Sequence, residues 1–426
     1  MTYAPSRRRS WGRVVLTPVS LVVLTAAGCS GASAPVAIPS PSATPPSPSP
    51  SPTVATPAPS PTASASASAE PAAACVQQSV AGMTEEQRLG QLLMVGFDTA
   101  APLDALDREI SSDHVGNVIY LGGWEGADTV TRTSSHLQEL TSETATGDVG
   151  LLIAADQEGG EVHQLRGEGF TRPPSATKQA QLAPAELTAR ATTWAKQLKA
   201  AGVNVNLAPV TDTVPQNIGT ANEPIGKYGR QYGSDPKTVE RASTAFLKGM
   251  LAGGVEGTVK HFPGLGRIRS NTDFNSTGIT DDVTTAKDPF LEPFAAGVDA
   301  GAGLVMVGSA KYSKLDKGVP AMFSEKIVTD LLRGDLGYAG VVITDDVNAA
   351  AVEDVPAAQR AVRFEDAGGD NVLTGDASVA PAMLRALADQ AAADPAFAKK
   401  VDAAVVRVLT LKERMGLLPC STATSP

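Results

Sequence analysis

The sequence predicts an α/β protein whose folded part is one closed (β/α)8 barrel of the TIM type, preceded by a signal peptide and a disordered linker. Two observations carry that expectation. From residue 76 onward, eight short apolar or β-branched runs alternate with amphipathic stretches. Parallel strands need crossovers, so repeated strand-then-helix units imply a parallel sheet, and eight of them suggest closure. Polar clusters follow several of the strand runs, where such barrels keep their chemistry. An open doubly wound sheet is the second architecture, but no GxGxxG follows the first run, which argues against a dinucleotide fold. With 426 residues, 42% of them hydrophobic, the chain can bury a large core.

Arg7, Arg8, Arg9 and Arg13 stand ahead of a mostly apolar run at 14–27 that is short for a membrane span. The run ends in Ala26-Ala27-Gly28-Cys29, small residues before a cysteine that resemble a bacterial lipobox, with Ala26 where leucine is usual. Residues 1–28 therefore read as a lipoprotein signal peptide and Cys29 as the lipidated mature N-terminus, on the extracellular face of the membrane; an ordinary signal peptide with a chance cysteine is the alternative. Residues 29–74 are almost entirely Ser, Pro, Ala and Thr, too poor in apolar surface to offset ordering entropy. As a polyproline-like tether they would reach on the order of 100 Å.

Cys75 opens the folded unit at 75–420 and Cys420 nearly closes it, leaving a disordered tail at 421–426. In an oxidising compartment, and in a barrel that brings its first and last elements together, these two predict a disulfide. No CxxC or Cys/His spacing suggests a metal, and no cofactor motif occurs. The net charge of −10 argues against nucleic acid as a partner. The strand runs lie at 92–97, 117–121, 151–155, 203–209, 257–262, 304–308, 340–344 and 371–374, with amphipathic helices such as 184–201 and 236–252 between them. Asp156-Gln157-Glu158-Gly159-Gly160 follows the third run, Asn206 to Asp212 the fourth, Lys260-His261-Phe262-Pro263-Gly264 ends the fifth, and Thr344-Asp345-Asp346 the seventh. Carboxylates and a Lys-His pair would thus converge on one barrel mouth.

KHFPG, DQEGG and ITDD at these positions resemble glycoside hydrolase family 3, most closely its single-domain β-N-acetylglucosaminidases, over roughly residues 80–415. NLAPVTD at 206–212, Arg230-Gln231-Tyr232-Gly233 and LLRGDLGYAGVVIT at 331–344 support the likeness. The resemblance implies a retaining exo-glycosidase acting on terminal β-linked N-acetylglucosamine, with Asp345 as nucleophile forming a glycosyl-enzyme intermediate. It implies that Asp156, Lys260, His261 and Arg230 hold the hydroxyls of the same sugar, a charged ring that can tighten in the transition state. Asp346 reads as a capping residue.

Two departures matter. The family's glucosaminidases carry Asp-Ser-His on a mobile loop after KHFPG, the histidine being the acid/base; here the same offset reads Asn271-Thr272-Asp273, and no histidine follows His261. Asp273 is the candidate acid/base, since a carboxylic acid can protonate a leaving oxygen where its surroundings favour the protonated form. An arginine expected eight residues past Asp156 is Gln164; either Arg166 replaces it as a substrate contact or that contact is lost. Two other functions compete: a sugar-binding lipoprotein that has lost turnover, and a β-glucosidase. Few aromatics (4%) favour a small exo-site over a long polymer cleft.

Overall fold

The computed structural model describes residues 63–420; the expected signal peptide, Cys29, the expected linker up to residue 62 and the tail at 421–426 lie outside the described residues. Eight strands form the barrel: β1 Leu93–Asp98, β2 Asn117–Leu121, β3 Leu152–Ala155, β4 Val205–Asn206, β5 Glu256–Phe262, β6 Leu304–Val307, β7 Val341–Thr344 and β8 Val372–Thr374. Their order is β7-β6-β5-β4-β3-β2-β1-β8, and every neighbouring pair is parallel. A parallel bridge between Ile343 and Asn371 joins β7 to β8 and nearly closes the ring. Parallel strands covered on both faces read as continuous apolar runs, and Leu152 to Ala155 and Val341 to Ile343 are fully buried. β4 is shorter than the run that predicts it. Leu207 still donates to Ala155, but Pro209 has no N–H to continue that edge, whereas on the β5 side the carbonyls of Ala208 and Pro209 accept from Thr258 and Lys260 and Val210 bridges Lys260.

The four longest helices among the described residues are α1 Ala63–Gly82, α2 Pro184–Ala200, α3 Pro236–Ala252 and α4 Pro395–Arg414. Proline at the first turn starts the last three, where its missing N–H has no intrahelical partner to lose. Asp235 caps α3 by accepting from Thr238 N at 2.9 Å. α2 and α3 pack closely because Gly249 and Gly253 face Ala191 and Ala195; a Cβ at either glycine would lie 2.4 or 2.3 Å from the opposing methyl.

α1 takes in residues 63–74, which the composition reads as linker. Alanine has the highest helix propensity, and it dominates this end of the stretch beyond the proline-rich part. Cys75 in α1 is bonded to Cys420, just past α4, with Cα atoms 5.5 Å apart, as the sequence predicts.

Candidate active site

The predicted strand ends converge on a cavity of about 390 Å³ at the C-terminal mouth of the barrel. Asp156, Arg230, Lys260, His261, Asp273 and Asp345 all line it.

Its floor is a network of charges. Lys260, near the end of β5, is 2% exposed and reaches Asp156 Oδ1 at 2.5 Å and Glu158 Oε1 at 2.7 Å. Arg230 grips the same Glu158 with Nε at 2.9 Å and a terminal nitrogen at 2.7 Å, and gives its remaining nitrogen to Pro224 O at 2.8 Å. Two cations are thus held by two carboxylates, which is what keeps such buried charge tolerable. Burial alone would raise Glu158, but Arg230 and Lys260 outweigh it and hold the carboxyl down at about 2. Burial opposes the charge on Lys260 as well, yet Asp156 and Glu158 raise its pKa, so it stays an ammonium.

The DQEGG motif has a local reason to fold this way. Gly159 has φ +104°, and a Cβ there would fall 2.4 Å from Pro174 O, so only glycine lets the chain turn under that carbonyl while Glu158 stays buried. Gln179 braces the turn by donating to Glu158 O at 2.8 Å.

His261 is oriented by Asp212, which takes its Nδ1 at 2.7 Å and also accepts from Leu265 N at 2.6 Å. A carboxylate on Nδ1 makes that nitrogen the donor, so Nε2 is the atom turned to Arg230, 3.5 Å away.

Asp345 follows β7, with its N–H bonded to Val307 O at 2.9 Å and its Oδ1 accepting from Asp346 N at 3.0 Å. Burial pushes its carboxyl up; His261 and Lys260 pull it down, Asp273 pushes it further up, and the result is about 6. A carboxylate poised near neutrality in a cleft, facing a second carboxylate, is a mark of a catalytic group. Asp346 does not compete for that role: its Oδ1 accepts from Asn348 N at 2.9 Å and Gly375 N at 3.1 Å, so it ties two loops together.

Asp273 sits on the loop after β5, near enough to raise both Asp345 and Asp346. The loop is held at several points. Arg267 bonds Thr284 Oγ1 at 2.6 Å and Asp288 at 2.9 Å and lies over the Phe290 ring at 3.9 Å. Asn271 N donates to Glu223 at 3.2 Å. The carbonyls of Thr272 and Asp273 accept from Ala351 and Ala350 at 3.1 and 3.2 Å, beyond Asp345.

Arg166 is the exception among the candidates. It lies in a two-residue strand, Leu165–Arg166, paired with Trp124–Glu125; its guanidinium covers Gly123, and it is not part of the cavity wall. Gln164, where the family has arginine, accepts from Gly123 N at 3.1 Å and so has become a loop brace. Glu158 and Asp212 escape expectation from sequence, although they stand inside DQEGG and NLAPVTD. A second carboxylate two residues from Asp156, and an acid closing NLAPVTD, are the signals that point to them.

A family model described as the glycosyl hydrolase family 3 N terminal domain matches residues 84–411. A β-hexosaminidase of Stenotrophomonas maltophilia (strain R551-3) is 36% identical over 236 residues, 52% of this chain and 66% of that relative's length. One of Xylella fastidiosa (strain 9a5c) is 33% identical over 271 residues, 61% of this chain and 75% of its own length. The crystal structure of the β-N-acetylhexosaminidase from Beutenbergia cavernae DSM 12333 superposes with a TM-score of 0.75 at 49% identity, covering 78% of this chain and 98% of that one.

Proposed function

The chain belongs to glycosyl hydrolase family 3, and from that premise we propose that it is a retaining, exo-acting β-N-acetylhexosaminidase that releases terminal β-linked N-acetylglucosamine. The observation that carries the proposal is that Asp345 lines the same small cavity as the Asp156, Lys260, Arg230 and His261 set. Those four groups bind the hydroxyls of the terminal sugar and fix its anomeric carbon over Asp345. The Asp345 carboxylate attacks that carbon and forms a glycosyl ester, while Asp273 gives a proton to the departing glycosidic oxygen. Water then enters, Asp273 takes a proton from it, and the resulting attack at the anomeric carbon frees Asp345 with net retention. The names of the matched relatives favour an N-acetylhexosaminide over a glucoside.

In the same proposal the activity sits on the outer face of the cell membrane: Cys29 carries the lipid, the Ser/Pro-rich stretch is the spacer, and the substrates are cell-wall-derived glycans. Detergent phase partition of the mature protein, lost in Cys29→Ser, tests the anchor.

A chromogenic β-N-acetylglucosaminide assay with wild type and Asp345→Ala tests the activity. Turnover in the wild type that vanishes in the variant is expected. Binding without turnover would leave a sugar-binding barrel, faster cleavage of the matching β-glucoside would leave a glucosidase, and activity surviving Asp345→Ala would remove the nucleophile.

A further inference from the structure

Phe274 is 77% exposed, the highest value among the large exposed hydrophobic residues of the described part. Single exposed apolar side chains are ordinary; what sets this one apart is its place. It follows Asp273 directly and lines the same cavity. Its backbone is fixed, since Phe274 N donates to Asn271 O at 3.2 Å within the loop that Arg267, Glu223, Ala350 and Ala351 hold. The ring is therefore carried on a held stretch of backbone, and the residue is mostly uncovered.

The chemistry of the cavity says what covers it. The charged floor formed by Asp156, Lys260, Arg230 and His261 suits the hydroxyls of one sugar, and a volume of about 390 Å³ is at the small end for a ligand site. An acid/base protonates the oxygen shared by that sugar and its leaving group, so the leaving group lies on the Asp273 side, where Phe274 is the next residue. A pyranose has an apolar C–H face. Laying it on an aromatic ring removes apolar area of both from water.

We propose, resting on the hydrolase reading above, that Phe274 is the platform on which the leaving sugar stacks, making this a site selective for β-N-acetylglucosaminides whose leaving group is itself a ring. Asp273 and Phe274 act as a pair: one residue protonates the bond and the next holds what departs.

The test compares kcat/KM of wild type, Phe274→Ala and Phe274→Tyr on N,N′-diacetylchitobiose and on methyl β-N-acetylglucosaminide. Phe274→Ala should lower the disaccharide value about tenfold, mostly through KM, and leave the methyl glycoside within about twofold, while Phe274→Tyr keeps both. An equal fall on both substrates would make Phe274 a loop-positioning residue and overturn the platform, as would no change on either, with the hydrolase reading intact. A wild type inert on both glycosides overturns the hydrolase reading and the platform with it.

Discussion

Replacing Glu158 with Gln removes the charge that holds Lys260 and Arg230 while keeping the shape of the side chain. Three nitrogens bond that carboxylate at 2.7, 2.7 and 2.9 Å, and its side chain is 5% exposed. Its pKa is held at about 2 against an ordinary 4.5, and a gap of that size corresponds to roughly 3 kcal/mol of preference for the folded, ionised form. Breaking one partner out of a buried ion pair costs about 3–5 kcal/mol, so the two figures agree. A fold of roughly 350 residues has an unfolding entropy near ~0.7 kcal/mol/K, which converts the loss into a fall in Tm of about 4–7 °C. The pKa is depressed, so the contribution is fully present above the unfolded value of 4.5 and fades as the pH falls toward about 2. Thermal unfolding of wild type and Glu158→Gln across pH should show the full gap at neutrality and a shrinking one below 4.5. If Arg230 and Lys260 bind the sugar as proposed, KM for the N-acetylglucosaminide should rise, because Arg230 loses its carboxylate partner and Lys260 one of its two. A Tm within 1 °C of wild type at pH 7 together with an unchanged KM, or a gap that stays constant on acidification, would show that the Glu158 charge does not hold this network.

The carboxylate pair and the disulfide set further expected outcomes. As the proposed nucleophile Asp345 must be ionised to attack, so kcat/KM should rise with pH through an acid limb near 6; in Asp273→Asn that limb should move to lower pH, because one of the causes that raise Asp345 is gone, and an unmoved limb would count against their proximity. The same Asp273→Asn change should slow poor leaving groups by about 10²–10⁴ and activated aryl glycosides far less, read from kcat/KM across a leaving-group series; equal loss throughout would remove the acid/base role. The Cys75–Cys420 bond closes a loop with a sequence separation of 345, so Cys75→Ser/Cys420→Ser should lower Tm by up to about 8 °C with activity at 25 °C unchanged, and an unchanged Tm would show the bridge to be without effect on stability.

Local pattern reads the barrel well because each parallel strand is buried on both faces and shows as an unbroken apolar run. It fails where one backbone group decides the outcome. Pro209 interrupts β4 on its β3 edge, and a run scored only for hydrophobicity cannot register a missing donor. Asp345, Lys260, His261 and Asp156 are legible because each ends a strand run and so must face the mouth. Their supports are not. The bonds from Arg230 to Glu158 and from His261 to Asp212 join residues 72 and 49 positions apart, and only closure of the barrel brings them together. Arg166 fails for a related reason: Gln164 is committed to Gly123 N, and the residue two places on inherits the strand pairing with Glu125 and not the cavity. The helical start of α1 also escapes a reading by composition, since Ser/Pro-rich and Ala-rich segments merge without a boundary in the sequence.

On the proposed mechanism Asp345 forms a covalent bond to the sugar it cleaves. A 5-fluoro N-acetylglucosaminyl fluoride has a reactive leaving group and a ring whose electron demand slows release of the intermediate, so the glycosyl ester should accumulate. Peptide mapping by mass spectrometry should place one added sugar on the peptide that contains Asp345, with fragment ions assigning it to that carboxylate and with activity lost in step. An adduct on Asp346, Asp156 or Asp273, or steady turnover with no adduct on any carboxylate, would contradict the account.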